Sequence, residues 1–529
     1  MDNLENFLAD KPISEEKDDR FQRYNFAKRI AETIYNRNSS ESIVLGLYGA
    51  WGEGKTSVLN FIKHELKPHY PQFIYFSFNP WRFTDESALL VSYFNTLALE
   101  VKNSIEKPLK KKNGNFFSRL IKPIKTSWYK RKGPLKTSKE TIGEIIKEYG
   151  KLVSIVGAGE TVETIGRVFS NVDIEKLKER IENLLLNHKK RIVIFIDDID
   201  RLEQDEIHSI FRLVKLTGDF PFTTFVLAFD ENIISASIGK RFGLGDPKSG
   251  ENFLEKIIQI PIKIPLAQKS ALKTYCFQLV DKAIGSSQIK LTEIEERNFV
   301  DNFTSCFLIR LNTPRLAIRY GNALSFSLPL LKGEVNYVDL LLIEAIRVFY
   351  PEIYELIRTQ PDYFIGSYTD QFTKQINKEK IEQFKSIFSK CCNKFNDLEN
   401  QNAKEILLNM FPNLGKVWGS KDWDWNHGDN IKQYNEKRIS SSHYFNRYFS
   451  YTVIEGDISD VAFNELLAFI SDGDYLEKLE RVISFIKFAT PDNFIEKIRF
   501  REKLFNSSTA INLVKVLGVL GEYFPRVNH

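Results

Sequence analysis

The sequence is poor in sulfur, with four cysteines and two methionines in 529 residues. The cysteines are Cys276, Cys306 and the adjacent pair Cys391 and Cys392, so Cys-x-x-Cys spacing does not occur. Four cysteines in so long a chain do not make a disulfide framework, and we expect a reducing compartment. The seven histidines show no metal-binding spacing, and the Gly-x-Ser-x-Gly element of serine hydrolases is missing. Metal-dependent hydrolases with histidine ligands and serine hydrolases are therefore both disfavoured.

Long apolar runs are also missing. The nearest candidate, residues 152–159, is closed by Lys151 and Glu160. It is far shorter than the roughly 20 apolar residues that a membrane helix needs. The acidic N-terminal stretch has no apolar segment typical of a secretion signal. We therefore expect no transmembrane segment and a cytoplasmic location, with a peripheral position at the inner membrane as the alternative.

The net charge of +5 is unevenly distributed. Residues 101–139 hold thirteen Lys and Arg and a single Glu, about +12, which leaves about −7 for the rest of the chain. This basic insert could bind nucleic acid by neutralising phosphates, with Phe116, Phe117, Trp128 and Tyr129 available for stacking. It could equally lie on an anionic membrane surface. The third interpretation is a solvated loop.

Short apolar runs rich in β-branched and aromatic residues recur in the first half of the chain. They occupy residues 42–48, 73–78, 191–200, 223–229 and 257–264. Segments with helical spacing separate most of them, which predicts a parallel, doubly wound α/β sheet. Pro261 in the fifth run indicates an edge strand or a strand end. After Pro265 the pattern becomes helical.

The first run leads into Gly-x-x-x-x-Gly-Lys-Thr at residues 49–56, and a helical pattern follows. Glycines let several backbone N–H groups converge on phosphates, and the helix N-terminus adds a favourable dipole. We predict that Lys55 contacts the β- and γ-phosphates of ATP and that Thr56 holds Mg²⁺. The predicted nucleotide-binding residues are Gly49, Ala50, Trp51, Gly52, Glu53, Gly54, Lys55, Thr56 and Ser57.

The third run ends in adjacent carboxylates, Asp197 and Asp198, which would repel each other unless a cation lies nearby. We predict that Asp197 coordinates Mg²⁺, usually through water, and that Asp198 orients the attacking water. Asp200 is a weaker candidate for the role of Asp198. The alternative is a carboxylate cluster that caps the next helix.

The roles of three further candidate residues stay open. Asp230, after the fourth run, could sense the γ-phosphate or cap a helix. Arg241, one helix later, could be an arginine finger acting in trans or a solvated side chain. Arg315 could reach the γ-phosphate from a helical lid.

We predict the following fold class: a P-loop NTPase core of the ASCE or STAND-like type with a parallel sheet, then a helical lid and an all-α C-terminal domain. The predicted domains are an N-terminal helical segment (1–40), the core (41–265, with the basic insert at about 101–175), the lid (266–345) and the C-terminal domain (346–529).

Collinear motifs make the chain resemble the KAP family of P-loop NTPases. The matching segments are LGLYGAWGEGKTS, FSFNPWRF, VIFIDDIDRL, FVLAFD, FLEKIIQIPIKIP, NTPRLAIRYGNAL, LLLIEAIRVFYPEIYELI and YFNRYFSYTVIEGDIS. The resemblance runs from about residue 18 to at least 470. Many members carry transmembrane helices between the phosphate loop and the Asp-Asp strand, where this chain has its basic insert.

The resemblance implies phosphate contacts at Gly49, Gly54, Lys55 and Thr56, Mg²⁺ at Asp197 and catalysis at Asp198. Within the family an Asp at position 230 is ordinary. Glu255, Lys256 and Gln259 fall in a family motif whose physical purpose the sequence does not reveal.

Several bacterial relatives are similar to components of phage-exclusion and phage-defence systems. The resemblance thus implies a Mg²⁺-dependent ATPase that acts as a switch or assembly platform in bacterial defence. We expect a homo-oligomer with partner proteins from a defence operon. Two alternatives remain open: an ATPase motor stimulated by nucleic acid, and a scaffold that binds ATP with negligible turnover.

Overall fold

The computed structural model describes residues 7–82, individual helical positions between 89 and 100 and between 182 and 186, and residues 191–217, 220–242, 247–369, 375–419, 427–472, 475–488 and 491–521. The insert predicted at about 101–175, with its basic part, lies outside these residues. The chain divides into two compact units. One is Lys11–Leu266, and the other joins Met1–Asp10 to Ala267–His529. We call them the sheet unit and the helical unit.

The sheet unit is built on five parallel strands, as the apolar runs predict. They are β1 (Ile43–Tyr48), β2 (Phe73–Phe78), β3 (Arg191–Ile196), β4 (Thr223–Phe229) and β5 (Ile260–Lys263). The strand order is β2-β3-β4-β1-β5, and every pairing is parallel. The strand that contains Pro261 lies at the edge, where the missing N–H is tolerated. The fold class predicted from the sequence is confirmed.

Helices cover both faces of this sheet. They are α1 (Tyr24–Asn36), α2 (Lys55–Leu66), α3 (Gln204–Thr217), α4 (Glu231–Phe242) and α5 (Pro247–Glu255). Successive strand side chains point to opposite faces. In β1, accordingly, Val44 joins the apolar cluster that includes residues of α3, α4 and α5. Leu45 joins the cluster that includes residues of α1 and α2. Burial on both faces explains why the sequences of β1, β3 and β4 are nearly continuous apolar runs.

The edge strand β5 is attached to β1 through Gln259. Its side-chain Oε1 accepts the Val44 N–H at 2.7 Å, and its own N–H donates to the Val44 carbonyl at 3.1 Å. The side chain thus extends the ladder one step beyond the last backbone pair. This contact gives a physical purpose to one residue of the family motif at 255–259.

The α-helices that the structure describes after residue 266 belong to the helical unit. They are α6 (Lys269–Ser286), α7 (Glu293–Cys306), α8 (Pro314–Leu330), α9 (Tyr337–Phe349), α10 (Pro351–Thr359), α11 (Lys378–Cys391), α12 (Asp397–Met410), α13 (Gly415–Trp418), α14 (His427–Asn435), α15 (Phe445–Ser450), α16 (Asp460–Asp472), α17 (Tyr475–Phe488), α18 (Pro491–Arg501) and α19 (Ser507–Val519). The helical character predicted after Pro265 is confirmed. The finer division at residue 345 stays a prediction.

The first described residues of the chain belong to the helical unit. The Leu8 N–H donates to Asn322 Oδ1 at 2.9 Å, and Asn322 Nδ2 donates to the Leu8 carbonyl at 2.9 Å. Asp10 Oδ2 lies 2.5 Å from Arg315 Nε. The N-terminal residues are thereby fastened to α8, about 300 positions further along the chain.

A buried ionic cluster joins α15, α16 and α18. Arg447 Nη1 lies 2.9 Å from Glu334 and 2.7 Å from Asp460, and its Nε lies 2.7 Å from Asp457. Asp460, fully buried, also pairs with Lys497 at 3.4 Å and with Arg501. Through these contacts one carboxylate faces three cations.

Across the described part of the chain, no helix combines the length and the apolar character needed to cross a bilayer.

Candidate nucleotide-binding site

The phosphate loop connects the end of β1 to the start of α2. Gly52 and Gly54 have φ angles of +88° and +87°, a region that side chains with a Cβ rarely adopt. The Gly49 N–H donates to the Phe229 carbonyl at 3.3 Å, which anchors the loop to the end of β4. Within the loop, the Glu53 N–H donates to the Ala50 carbonyl at 3.2 Å. The backbone path itself thus favours glycine at Gly54, which the motif requires, and at Gly52, which it does not.

Lys55 is buried at the first position of α2, and its ammonium group turns back over the loop. Its Nζ lies 3.0 Å from the Gly49 carbonyl oxygen and 3.4 Å from that of Ala50. It also lies 3.0 Å from Asp200 Oδ2, and both side chains of this pair are 9% exposed. The cation predicted to bind phosphate therefore has an internal carboxylate partner.

Asp197 and Asp198 follow β3 at the carboxyl edge of the sheet, the edge from which the phosphate loop also leaves β1. Asp198 has a left-handed backbone with φ 59°, and its N–H donates to Asp197 Oδ1 at 2.9 Å. Its Oδ1 lies 2.8 Å from Arg201 Nη2. Burial raises the pKa of Asp198, and so does the adjacent Asp197 charge, whereas Arg201 opposes the rise.

Asp200 links the phosphate loop to the end of β4. Besides contacting Lys55, its Oδ2 accepts the Asp230 N–H at 3.0 Å. Asp230 Oδ1 accepts the N–H of Asn232 at 3.0 Å and of Ile233 at 3.5 Å, so its carboxylate caps α4. Because β4 pairs with β3 and with β1, Asp230 lies between the two motifs. The capping alternative for Asp230 describes the observed contacts.

Two contacts of the loop have no counterpart in the sequence motifs. Arg23, 4% exposed, donates to the carbonyl of Glu53 and, through Nε, to the carbonyl of Pro265 at 3.2 Å. The Glu53 carboxylate accepts the Ala50 N–H at 2.8 Å. Arg23 directly precedes α1, and its burial is known only from the structure. Its carbonyl partners could not be foreseen.

The other predicted residues are distributed as follows. Trp51 is 61% exposed at the tip of the loop. Ser57 Oγ accepts the Ile13 N–H at 3.2 Å, which directs it to the protein backbone. Arg241 lies on α4, but its side chain is outside the described part. Arg315 lies in the helical unit and pairs with Asp10.

The donor set suits ATP and Mg²⁺. Mg²⁺ is commonly held by one or two protein oxygens together with phosphate oxygens. The Thr56 hydroxyl, on the first turn of α2, and the Asp197 carboxylate, after β3, are donors of this type. The loop glycines and the buried Lys55 supply the cradle and the positive charge that a triphosphate requires.

A five-stranded parallel sheet, a glycine loop between β1 and α2, and carboxylates after β3 define a P-loop nucleotide-binding protein. The KAP family P-loop domain matches residues 23–331. This match covers more than half of the chain, and the protein belongs to that family.

Among characterised relatives, the chain is 25% identical over 356 residues to the phage T7 exclusion protein of Escherichia coli strain K12. The match covers 65% of this chain and 47% of the relative, so the chain spans about half the length of that protein.

Solved structures with partial likeness include Cdc6p from Pyrobaculum aerophilum, with 12% identity, 75% of this chain and 87% of that chain covered, and a TM-score of 0.32. Another is AMPPCP-bound DnaA from Aquifex aeolicus, with 13% identity, coverages of 79% and 93%, and a TM-score of 0.25. We draw nothing further from likenesses this small.

Proposed function

We propose that this protein is a Mg²⁺-dependent ATPase that uses nucleotide turnover as a switch, or to drive assembly, in bacterial defence against phages. The observation that carries the proposal is the buried ammonium of Lys55. It lies 3.0 Å from the Gly49 carbonyl and from Asp200, at the sheet edge where Asp197 and Asp198 also emerge. A buried cation over a glycine loop, beside paired carboxylates, suits a phosphoanhydride and its metal.

Each residue then has a distinct task. The N–H groups of the phosphate loop and Lys55 would bind the β- and γ-phosphates, and Thr56 and Asp197 would hold Mg²⁺. Bound Mg²⁺ supplies charge neutralisation at the phosphates. Asp198 would orient water for in-line attack, because its carboxylate follows the proposed metal ligand Asp197 at the carboxyl edge of the sheet and can accept a hydrogen bond from that water. The acceleration comes from positioning and charge stabilisation rather than from a covalent intermediate.

Besides Lys55, an arginine would supply a second positive charge to the γ-phosphate. Arg241 would act in trans on a neighbouring copy of a homo-oligomer. Arg315 would have to exchange its partner Asp10 for a phosphate. Such an exchange would link nucleotide state to the N-terminal residues that α8 holds.

The role in defence rests on the likeness to a phage T7 exclusion protein. Partner proteins from a defence operon would receive the nucleotide signal. The uneven charge of the sequence supports a second candidate, a nucleic-acid-stimulated ATPase that grips phosphates through residues 101–139. Turnover that rises with DNA, falls steeply with salt and loses both properties on deletion of 101–139 would favour this candidate.

The enzymatic proposal is tested by phosphate release from the purified full chain with ATP and Mg²⁺, with and without EDTA. Asp198→Asn should retain ATP binding and lose at least about tenfold in turnover, since it removes the group that orients water. Equal, slow release by the wild type and the variant would mean that the protein is an ATP-binding scaffold.

The biological proposal is tested by phage plating on cells that express either form together with the neighbouring genes. The wild type should reduce plating efficiency, and Asp198→Asn should restore it at equal protein level. Equal plating efficiency on cells expressing either form would mean that defence does not depend on ATP turnover.

A further inference from the structure

The segment Asn-Pro-Trp-Arg after β2 has no task in the proposed hydrolysis. Its residues Pro80–Arg82 form a 3₁₀ turn, and the Trp81 N–H donates to Asn79 Oδ1 at 3.1 Å. The turn holds the Trp81 indole on the surface, where it is 60% exposed. A single exposed aromatic side chain is ordinary at a protein surface, so the role of Trp81 is argued from its contacts.

Trp81 lies close to Asp198 because β2 and β3 are parallel neighbours, so their carboxyl ends meet at one edge of the sheet. The turn after β2 packs against the turn Ile199–Arg201 after β3. Arg201 connects the two turns. Its guanidinium carbon lies 5.6 Å from the centre of the Trp81 ring, and its Nη2 lies 2.8 Å from Asp198 Oδ1.

These contacts contribute little to stability. The Arg201 and Asp198 side chains are 36% and 20% exposed, and exposed ion pairs contribute little because water screens them. A cation–π contact at so exposed a ring is also weak. Orientation is a different matter, because a small misplacement of a reacting group lowers a rate strongly.

We infer that Trp81 and Arg201 are positioning residues for Asp198. The indole face holds the guanidinium, and the guanidinium holds one carboxylate oxygen of Asp198, so that the other oxygen accepts a hydrogen bond from the attacking water. The left-handed backbone of Asp198 and the Arg201 contact together fix the direction of the carboxylate. This inference rests on the proposed function, since it assigns Asp198 to water orientation.

The experiment measures steady-state phosphate release by the full chain, together with the Kd of a fluorescent ATP analogue, for Trp81→Ala, Trp81→Phe and Arg201→Gln. We expect Trp81→Ala and Arg201→Gln to lower kcat by roughly threefold to tenfold while KM and Kd change less than about twofold. Trp81→Phe keeps a ring face for the guanidinium and should restore most of kcat. Arg29→Gln, a change at an exposed arginine of α1, serves as the matched control.

Unchanged or increased kcat in Trp81→Ala and Arg201→Gln would overturn the inference, and so would a rise in KM with kcat preserved. Asp198→Asn, measured in parallel, separates the two hypotheses. If Asp198→Asn abolishes turnover and the two variants do not lower kcat, the inference alone fails. If wild type and Asp198→Asn release phosphate equally, the proposed function fails first.

Discussion

Lys55 and Asp200 form a buried ion pair, and a bound phosphate would compete with Asp200 for the same ammonium. Asp200→Asn should destabilise the free protein by on the order of 2 kcal/mol, because the buried Lys55 loses its counter-charge. The same variant should bind ATP several-fold more tightly, since Lys55 no longer has to leave a carboxylate. Thermal unfolding with and without ATP, and a nucleotide titration, measure both effects.

The control for this prediction is Asp18→Asn, which removes an exposed carboxylate from the same unit. Weaker binding of ATP by Asp200→Asn would contradict the competition and would assign Asp200 a direct role with nucleotide.

The Lys55–Asp200 contact shows which feature of single residues the sequence does not predict, namely their partners. Short motifs identify Lys55, Asp197 and Asp198 as candidates, because each motif includes the residue types that bind phosphate or Mg²⁺. Which carboxylate meets Lys55 depends on the alignment of β1 with β3 across the intervening β4, a relation between residues about 145 positions apart. The same holds for Arg201 and Trp81, which lie on turns separated by the long insert.

Among the secondary-structure elements, the strands were the easiest to predict. The runs at 73–78 and 223–229 coincide with β2 and β4. Every position of β4 is buried, and four of the six positions of β2 are buried, which gives both strands a mainly apolar sequence. The fifth run, at 257–264, is longer than β5, which spans Ile260–Lys263. Ile257 and Ile258 are buried ahead of the strand, so apolar content extends beyond the hydrogen-bonded ladder.

The start of β5 leads to a prediction about Gln259. Gln259→Ala should leave the buried Val44 N–H without its side-chain acceptor, at a cost of about 1–2 kcal/mol of unfolding free energy for the sheet unit. Gln259→Glu keeps an acceptor oxygen and should lose less. Amide hydrogen exchange at Val44 reports the change locally, and Gln401→Ala on α12 is the control. Equal protection of Val44 in Gln259→Ala and wild type would refute this account.

At the scale of the whole molecule, the ionic cluster around Arg447 secures the helical unit. Arg447→Met should cost about 3–5 kcal/mol, since Glu334 and Asp460 would stay buried with one cation fewer. Arg358→Met removes an exposed pair with Glu355 and should cost less than about 1 kcal/mol. Chemical denaturation compares the two, and ATP affinity should be unchanged in both. Similar losses for the two variants would contradict the role of the cluster.

The same cluster should make stability depend on pH through Lys497. Burial lowers the pKa of Lys497 to about 8, with Asp460 and Asp457 opposing and Arg447 and Arg501 assisting. Between about pH 8 and the unfolded value near 10.5, the unfolded chain binds a proton that the folded chain has released. The contribution of this group to stability therefore rises with pH across that window, by on the order of 3 kcal/mol at most.

Denaturation of the wild type and of Lys497→Met at pH 7, 8, 9 and 10 tests this sign. The stability of the wild type relative to the variant should increase from pH 8 upward. A difference that stays constant or decreases over this range would contradict it.

The contacts of the N-terminal residues affect how the gene can be divided. Leu8 is hydrogen-bonded to Asn322, and Asp10 pairs with Arg315. Along the sequence the sheet unit, Lys11–Leu266, lies between two segments that belong to the helical unit, Met1–Asp10 and Ala267–His529. A helical fragment cut at Ala267 would lack the partners of Asn322 and Arg315, and supplying the first ten residues as a peptide would give them back. The two units are thus unequal as building blocks, because one continuous segment encodes the sheet unit and two separate segments encode the other.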